Sequence, residues 1–597
     1  MANDRIKILF TYFRRILRAC AAPAMVLIPI AATMVLARIL AHEASDWFSV
    51  YGNPDWSTFG DALPILVLFI LALHFRSRWL AAAATAWAYA WLVLRIFALV
   101  LYRKALMGLE LYDLQMLWKH TDAYALNAVL GDNYLLWLIP AVLAALAAIC
   151  GAVWLTGRTI RDVGRRAMIV WRCFFWIFLL FSIIATVRFS TIRANYAQED
   201  IYTGHMVRPL PVTAVFLIRD ALPTRDGGAV PLNDSNRKVL EEMKIIPSAD
   251  EQSAAAAPAR FDRIVIVALE SVDLEFIRAL NPKMPEGVTP TLDRLVAEYP
   301  AMTNFFCASQ PTSWGLTGLL MSRFDYTREV TSPERRASLF SIANGLGYRS
   351  CYFSPLTGVF ADNRRTYGKI FAPERMYFLE DWTRKYDLRR DAPWGLSDGE
   401  LYSGVLKILR AECGRRFVVL ISTMDTHSPY TAIGISDADK KRFPTPFLQA
   451  LHMTDRNLGE FLRELMADKT LYDDRTLIVI TADHTATHGE NYLHRKEYVP
   501  ERVPLIFITP DRTVFDALDR KKYASGIDLA PTLVELIGGK APASFMGRSL
   551  FSDKGTAISC KQKIFVRSPK GECRISPQGR SSDPEKQAII DFIRSRY

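Results

Sequence analysis

The sequence Leu477-Ile478-Val479-Ile480-Thr481-Ala482-Asp483-His484 contains a run of β-favouring apolar residues that ends in a carboxylate and an imidazole. Such a run is typical of a strand buried on both faces of a parallel sheet. Because ligands bind at the carboxyl ends of parallel strands, we expect Asp483 and His484 at that edge. An oxygen and a nitrogen ligand suit Mn²⁺ or Zn²⁺, with Mg²⁺ as a third candidate. The alternative is an ordinary hydrogen-bonded loop, so a metal site needs further ligands elsewhere.

A second apolar run, Ile264-Val265-Ile266-Val267-Ala268-Leu269, ends in the same way and is followed by Glu270. From residue 261 onward, strand patterns alternate with helix patterns, which is typical of an α/β domain with a mostly parallel central sheet. We predict strands at 264–269, 348–353, 417–422, 477–481 and 504–508, and helices at 290–298, 446–466 and 527–536.

The amino-terminal part of the chain has a different composition. The protein has 597 residues, of which 51% are hydrophobic, so it is too long for one domain and too apolar for an ordinary soluble protein. Stretches of roughly 17–25 mostly apolar residues match the length that a helix needs to cross a hydrocarbon core about 30 Å thick. We predict five membrane spans, near 20–41, 59–75, 78–102, 133–155 and 168–189.

Arginine and lysine are concentrated on one side of these predicted spans. They precede the first span and fill the connections between the second and third and between the fourth and fifth, whereas the connection at 43–61 has none. Since positively charged loops stay in the cytoplasm, we expect the amino terminus inside and everything after about residue 189 outside a cell inner membrane. The basic residues in question are Arg5, Lys7, Arg14, Arg15, Arg18, Arg76, Arg78, Arg158, Arg161, Arg165 and Arg166.

These patterns divide the chain into four predicted regions. A transmembrane domain, 1–189, is followed by a juxtamembrane connector and linker, 190–260, which closes with Ser253-Ala254-Ala255-Ala256-Ala257-Pro258. An exported α/β catalytic domain, 261–555, precedes a C-terminal extension, 556–597. The formal net charge of +12 suits an anionic lipid surface or substrate, and no nucleic-acid partner is expected outside the membrane.

An exported domain can form disulfides, and the chain has eight cysteines. The best candidate pair is Cys560 and Cys573, because Ser568-Pro569-Lys570-Gly571 can turn the chain between two short strands.

A polar segment lies between the two strand ends and contains Pro311-Thr312-Ser313 followed by apolar residues at helical spacing. Thr312 or Ser313 would begin that helix, where free N–H groups favour a bound phosphate and an alkoxide. The simpler interpretation is a helix cap. With Glu270, Asp483 and His484 as further ligands, the hydroxyl could instead complete a tetrahedral metal site and become a nucleophile.

Six short motifs follow one another along residues 261–550. In chain order they are Glu270-Ser271, Thr312-Ser313, Thr426-His427-Ser428-Pro429-Tyr430, Ala482-Asp483-His484, Val503-Pro504-Leu505 and Ile527-Asp528-Leu529-Ala530-Pro531-Thr532. Taken together, they resemble the alkaline phosphatase/sulfatase superfamily. Within it, they are similar to membrane-anchored transferases of the lipoteichoic acid synthase and osmoregulated periplasmic glucan phosphoglycerol transferase type.

This resemblance implies a metal-dependent transferase that moves a phosphoglycerol head group from a phospholipid donor to a glycan or lipid-linked glycan. It implies one divalent metal ion, Mn or Zn, held by Glu270, Thr312, Asp483 and His484, with Thr312 as the nucleophile. The residues that it places against the substrate are His427, Asn363, Arg364, Trp394 and Asp398.

Three other functions stay open at this point. Gly489-Glu490-Asn491-Tyr492-Leu493-His494 resembles phosphoethanolamine transferases acting on lipid A or another glycan, which makes His488 and His494 additional candidates near the metal. A sulfatase would need arginine where Ser313 stands in Ser309-Gln310-Pro311-Thr312-Ser313. A non-catalytic sensor of anionic glycans could use the same fold.

Overall fold

The computed structural model describes residues 11, 20–32, 62–105, 134–196, 232–248, 257–324, 337–358, 363–427, 430–486, 501–561, 563–576 and 580–595. The chain divides into two compact units, Met1–Arg225 and Asp226–Tyr597.

The described residues of the first unit are helical, apart from residues 62, 76–77 and 163–164. Among them, one stretch, Val142–Thr159, is long and apolar enough to cross a bilayer, and little of it is buried, unlike a core helix of a soluble protein. The five-span topology stays a prediction, and residues 33–41 of its first span lie outside the described residues. The longer helices of this unit are Leu63–Phe75, Arg78–Ala105, Tyr134–Thr159 and Arg165–Tyr196, and a shorter apolar helix is Cys20–Ala32.

The second unit is an α/β domain. Within the described residues, six strands form its main sheet in the order β4-β3-β5-β1-β6-β7, all parallel except β7, which is antiparallel to β6. They are β1 (Arg263–Leu269), β3 (Arg349–Phe353), β4 (Arg375–Tyr377), β5 (Phe417–Ser422), β6 (Thr476–Ala482) and β7 (Leu505–Ile508). A short parallel pair joins β2 (Phe305–Phe306) to β8 (Ala524–Ser525).

The central strands β1, β5 and β6 are buried along their whole length, as their uninterrupted apolar sequences predict. The predicted strands correspond to β1, β3, β5, β6 and β7 to within one residue at either end, so those predictions are confirmed. The predicted α/β architecture with a mostly parallel sheet is confirmed as well.

Helices cover this sheet, and their apolar residues pack into one core with the apolar residues of the strands. In the helix Pro446–Ala467, for example, Leu451, Leu458, Leu462 and Leu465 recur at helical spacing and are buried. The helices of this unit are Asp234–Glu242, Pro290–Glu298, Thr312–Met321, Leu339–Gly345, Asn363–Ile370, Leu379–Tyr386, Asp398–Ala411, Asp437–Arg442, Pro446–Ala467, Leu529–Leu536 and Pro584–Ser595.

A smaller sheet is formed by the C-terminal residues, in the order β11-β10-β9. Its strands are β9 (Ala557–Cys560), β10 (Ile564–Ser568) and β11 (Gly571–Ile575). They share an apolar cluster with the helices Pro584–Ser595 and Asp234–Glu242. The end of the chain therefore packs against a piece of the predicted connector.

The predicted disulfide between Cys560 and Cys573 is wrong. Cys560 lies on β9 and Cys573 on β11, and β10 runs between them. Strands are about 4.8 Å apart, so the two cysteines are separated by about 10 Å, whereas a disulfide needs Cα atoms within about 7 Å. The two sulfur atoms are therefore too far apart to bond, and no disulfide joins them. The turn was predicted correctly, but it joins β10 to β11, and Cys560 lies on the strand before that hairpin.

The motif around Asp528 has a structural explanation. The carboxylate of Asp528 is 2.5 Å from the ammonium group of Lys554, and both side chains are almost fully buried. It also accepts hydrogen bonds from the backbone N–H groups of Ser525 and Arg548. Asp528 thus joins the start of the helix Leu529–Leu536 to residues 548–554.

We expect Asp528→Ala to lower the free energy of unfolding by about 3–5 kcal/mol, because it leaves the buried Lys554 charge without a partner. The matched control is Glu460→Ala. Its pair with Arg456 is half exposed, so its loss should cost only about 0.5 kcal/mol. Thermal unfolding of each full-length variant in detergent measures these losses of stability. Equal melting temperatures for the two variants would contradict the structural role of Asp528.

Candidate metal and nucleophile site

Two neighbouring parallel strands bring the first two candidate ligands together. Leu269 at the end of β1 pairs with Ala482 at the end of β6, so Glu270 and Asp483 follow at the same edge of the sheet. The two residues are each only 1% exposed. The parallel register therefore buries two carboxylates next to one another.

The helix Thr312–Met321 begins against this edge, and Thr312 is its first residue. The approach is close because residue 315 is glycine: a Cβ atom there would lie 2.1 Å from the carbonyl oxygen of Asp483. Any larger residue at position 315 would force the helix away from the strand end.

Four side chains converge at this edge. The Oγ1 of Thr312 donates a hydrogen bond to Oε2 of Glu270 (3.1 Å) and lies 3.3 Å from Nε2 of His484. That nitrogen is 3.5 Å from Oε1 of Glu270 and 3.5 Å from Oδ2 of Asp483. One ligand atom from each of Glu270, Asp483 and His484 lies within 4.8 Å of the other two. The structure thus brings together all four residues predicted as metal ligands.

The donor set fits a divalent cation. The Nδ1 of His484 lies 2.8 Å from the carbonyl oxygen of Thr485 and donates a hydrogen bond to it, so Nε2 is the ring nitrogen that faces the carboxylates and can bind a cation. Oδ2 of Asp483 is buried and has no hydrogen-bond partner among the described residues. An unpaired carboxylate oxygen, a second carboxylate, an imidazole lone pair and a hydroxyl match the ligands that Zn²⁺ and Mn²⁺ take.

The pKa values of the two carboxylates are shifted in opposite directions. Burial, together with the nearby Glu270 charge, raises the pKa of Asp483 well above its usual value. Burial also acts to raise the pKa of Glu270, but His484 and His427 outweigh it and the pKa is lowered. Two adjacent buried acids of this kind repel one another, and a bound cation would relieve that repulsion.

Ser271 holds two of these side chains in place, and the sequence analysis named it in a motif without assigning it a role. The hydroxyl of Ser271 donates to Oε1 of Glu270 (2.6 Å), and its N–H donates to Oδ1 of Asp483 (3.0 Å). Ser271 adopts a left-handed conformation with φ 53°, which is uncommon outside glycine and typical of functional sites. Its position directly after Glu270 was the only signal available in the sequence.

His427 lies in a turn that follows β5 and surrounds Glu270. The N–H of Glu270 donates to Oγ1 of Thr423 (2.9 Å), and the hydroxyl of Thr426 donates to the Glu270 carbonyl. The ring of His427 packs edge-to-face on Trp394, with 5.0 Å between centroids. Two of the predicted substrate-binding residues, His427 and Trp394, are therefore in contact with one another near the carboxylates.

Asp398 is fully buried behind this turn. Its Oδ1 accepts the N–H groups of Met424 (2.8 Å) and Asp425 (3.3 Å), and its Oδ2 accepts the hydroxyl of Thr454 (3.1 Å). Burial raises the pKa of Asp398 to about 6. Since both oxygens already bond protein groups, this geometry favours positioning of the turn over contact with a ligand.

Arg364 and Asn363 begin the helix Asn363–Ile370, and Asn363 is buried. The Nη2 of Arg364 contacts Asp381 (2.6 Å) and Glu380 (3.3 Å), and its guanidinium lies over the ring of Phe378. The side chain is still 41% exposed. The remaining predicted candidates, His488 and His494, lie outside the described residues.

Comparison with known proteins identifies this part of the chain. Residues 262–539 match the family model described as Sulfatase, so they form a sulfatase-family domain. The match confirms the predicted resemblance to the alkaline phosphatase/sulfatase superfamily. Members of this superfamily are generally metal-dependent enzymes that transfer or hydrolyse phosphoryl or sulfuryl groups.

Individual relatives are distant. The multifunctional alkaline phosphatase superfamily protein PehA of Trinickia caryophylli is 34% identical over 86 residues, which is 14% of this chain and only 17% of PehA. A protein in the alkaline phosphatase superfamily from Vibrio parahaemolyticus is 18% identical. Its structural alignment covers 61% of this chain and 93% of that protein, with a TM-score of 0.45. The lipoteichoic acid synthase LtaP from Listeria monocytogenes is 16% identical. Its alignment covers 60% of this chain and 95% of LtaP, with a TM-score of 0.43.

The close approach at Gly315 leads to a prediction about metal binding. Gly315→Ala would push Thr312 away from Asp483. We therefore expect the affinity for Mn²⁺ or Zn²⁺ to fall at least about tenfold. The control is Gly345→Ala, because a Cβ at position 345 meets no atom within 4 Å. Metal content after dialysis at fixed metal concentration measures the effect. Equal metal content in both variants would show that Gly315 does not set this geometry.

Proposed function

We propose that this protein is a membrane-bound transferase that moves a phosphoglycerol head group from a phospholipid to a glycan acceptor through a phosphothreonine intermediate. The observation that carries the proposal is the Thr312 hydroxyl, which lies within hydrogen-bond distance of Glu270 and His484 in a buried cluster. A hydroxyl in that position at a helix N-terminus suits attack on a phosphate diester.

Glu270, Thr312, Asp483 and His484 would hold one divalent ion, Mn or Zn. When bound, such an ion supplies positive charge that lowers the pKa of a hydroxyl and stabilises a phosphoryl group during transfer. The lone pair of His484 Nε2 and the unpaired oxygen of Asp483 are the features that support this assignment.

In the first step, Oγ1 of Thr312 attacks the phosphorus atom of the phospholipid. A new P–O bond forms to Thr312, the P–O bond to diacylglycerol breaks, and the leaving oxygen takes up a proton. Glu270 is placed to accept the proton of the Thr312 hydroxyl, since it already accepts that hydrogen bond.

In the second step, an acceptor hydroxyl attacks the phosphothreonine and restores the Thr312 hydroxyl. His427 lies near Glu270 and is assigned to the phosphoryl oxygens or the leaving group, with Trp394 orienting its ring. Arg364 is assigned to the head group together with Asn363. Among the described residues its contacts to acids use Nη2, and the side chain is 41% exposed, which supports contact with a phosphate or hydroxyl.

The lipid donor explains a membrane anchor. A phospholipid stays in its bilayer, so an enzyme tethered to the same membrane meets it at high effective concentration. The apolar helix Val142–Thr159 supports such an anchor. We propose an inner-membrane protein whose catalytic domain is exported, with a glycan or lipid-linked glycan as acceptor.

A phosphoethanolamine transferase is the second candidate, favoured by the Gly489-to-His494 sequence motif. It would use the same Thr312 chemistry on a different head group. The mass added to Thr312 distinguishes the two.

We expect Thr312→Ala to fold, because it removes one hydrogen bond, from the Thr312 hydroxyl to Glu270, at a cost of about 1 kcal/mol. Transfer from a phospholipid should fall by at least about a thousandfold, since the attacking oxygen is lost. Incubating the wild-type protein with defined phospholipids and no acceptor should leave a head-group phosphate on the Thr312 peptide, detected by mass spectrometry.

Two controls sharpen this test. Thr312→Ser keeps a hydroxyl and should keep part of the activity, and Ser313→Ala should keep most of it, because residue 313 is rotated about 100° around the helix from residue 312. Head-group phosphate on Ser313, or wild-type rates in Thr312→Ala, would contradict the proposal that Thr312 is the nucleophile.

Asp398 gives a separate test of how the His427 turn is held. Asp398→Ala removes the acceptor of the Met424 and Asp425 amides, and we expect kcat to fall about 100-fold with little change in KM for the lipid or in metal content. Asp398→Asn keeps an acceptor oxygen and should restore most of kcat. A raised KM in both variants would instead support the sequence-based prediction that Asp398 binds substrate.

A further inference from the structure

Two buried cysteines of the α/β unit have their sulfur atoms 3.9 Å apart. Cys351 lies in β3, and Cys413 follows the helix Asp398–Ala411, 62 residues later in the sequence. This separation is van der Waals contact between two thiols, against about 2.05 Å for a disulfide bond. The sulfurs would have to approach one another by about 1.9 Å to form the bond.

The contact between these thiols is imposed by their surroundings. Glu412, next to Cys413, accepts hydrogen bonds from Nη1 of Arg375 (2.5 Å) and from the hydroxyl of Tyr377 (2.9 Å). Its backbone carbonyl accepts a bond from Nη1 of Arg349 (2.6 Å). These three donors come from β3 and β4, so the end of the helix is fixed onto the strands beside Cys351. None of these hydrogen bonds involves either sulfur atom.

We propose that Cys351 and Cys413 form a disulfide in the native protein. The proposal rests on the exported location that belongs to the proposed function, because disulfides persist in oxidising compartments. The thiolate of one cysteine attacks an oxidant of the disulfide class and forms a mixed disulfide. The second thiolate then displaces the oxidant's remaining sulfur, so two electrons and two protons pass to the oxidant, which leaves as two thiols.

Burial decides when this bond forms. Cys351 is 2% exposed and Cys413 is 1% exposed, so a protein oxidant cannot reach either sulfur in the folded unit. Oxidation therefore takes place while the chain is folding. A molecule that has folded without oxidant keeps both thiols.

The bond would join the two ends of a segment that carries four of the predicted substrate-facing residues: Asn363, Arg364, Trp394 and Asp398. Linking residues 351 and 413 restricts the unfolded chain and so stabilises the folded arrangement of this segment. It would not touch Thr312 or its three neighbours at the strand ends.

The test uses the full-length protein, isolated from its membrane and unfolded in the presence of N-ethylmaleimide without reductant. Mass spectrometry of a digest should show the Cys351 and Cys413 peptides joined and lighter by two hydrogen atoms than their sum. Cys307 and Cys560, which are also buried, should carry maleimide and serve as internal controls. Maleimide on both Cys351 and Cys413 would overturn the proposal.

Thermal unfolding provides a second measurement with matched variants. Protein folded in the presence of dithiothreitol should melt several degrees below protein folded without it. Cys351→Ala should abolish that difference, and Cys560→Ala should retain it. The same difference in both variants would contradict the proposal. Formation of the Thr312 adduct by Cys351→Ala, measured in parallel, separates failure of the disulfide from failure of the proposed transfer reaction.

Discussion

The register between β1 and β6 is the constraint on which the candidate site depends. Pairing of Leu269 with Ala482 places Glu270 and Asp483 at one level of the sheet edge. Because side chains alternate between the faces of a strand, a slip of one residue would move one carboxylate away from the other. Continuous burial of both strands fixes this register, so the packing of apolar residues in the core determines the distance between two charged groups.

That arrangement costs stability, and the surrounding residues offset part of the cost. Glu270 accepts hydrogen bonds from two hydroxyls, those of Ser271 and Thr312. Oδ1 of Asp483 accepts two backbone N–H groups, while its Oδ2 accepts none among the described residues. A buried acid with one unpaired oxygen is unfavourable in a protein of purely structural role. The same acid is expected where a cation takes up the unpaired oxygen, and this is why the site points to metal-dependent chemistry.

Sequence patterns predicted the sheet well because its strands are long apolar runs with clear ends. They also predicted that Glu270, Thr312, Asp483 and His484 lie together, because residues that follow neighbouring parallel strands meet at one edge of the sheet. They failed for Cys560 and Cys573, since a turn between two cysteines does not show that an intervening strand separates them. The sequence assigned no role to Ser271 or Gly315, because their importance lies in a backbone conformation and in a backbone approach that only the folded chain contains.

The proposed transfer through Thr312 requires its hydroxyl to keep its distance to His484 although the two residues lie on different elements. Two contacts couple those elements. Gly315 lets the helix backbone rest on Asp483, and the side-chain amide of Gln310 donates a hydrogen bond to the hydroxyl of Thr485. Thr485 also receives the Nδ1–H of His484 through its carbonyl oxygen. The residues flanking the nucleophile and the imidazole are thus joined by way of Thr485, so a displacement of the loop before Thr312 would carry His484 with it. This coupling preserves the relative position of the two groups even though neither the helix nor the strand end fixes it alone.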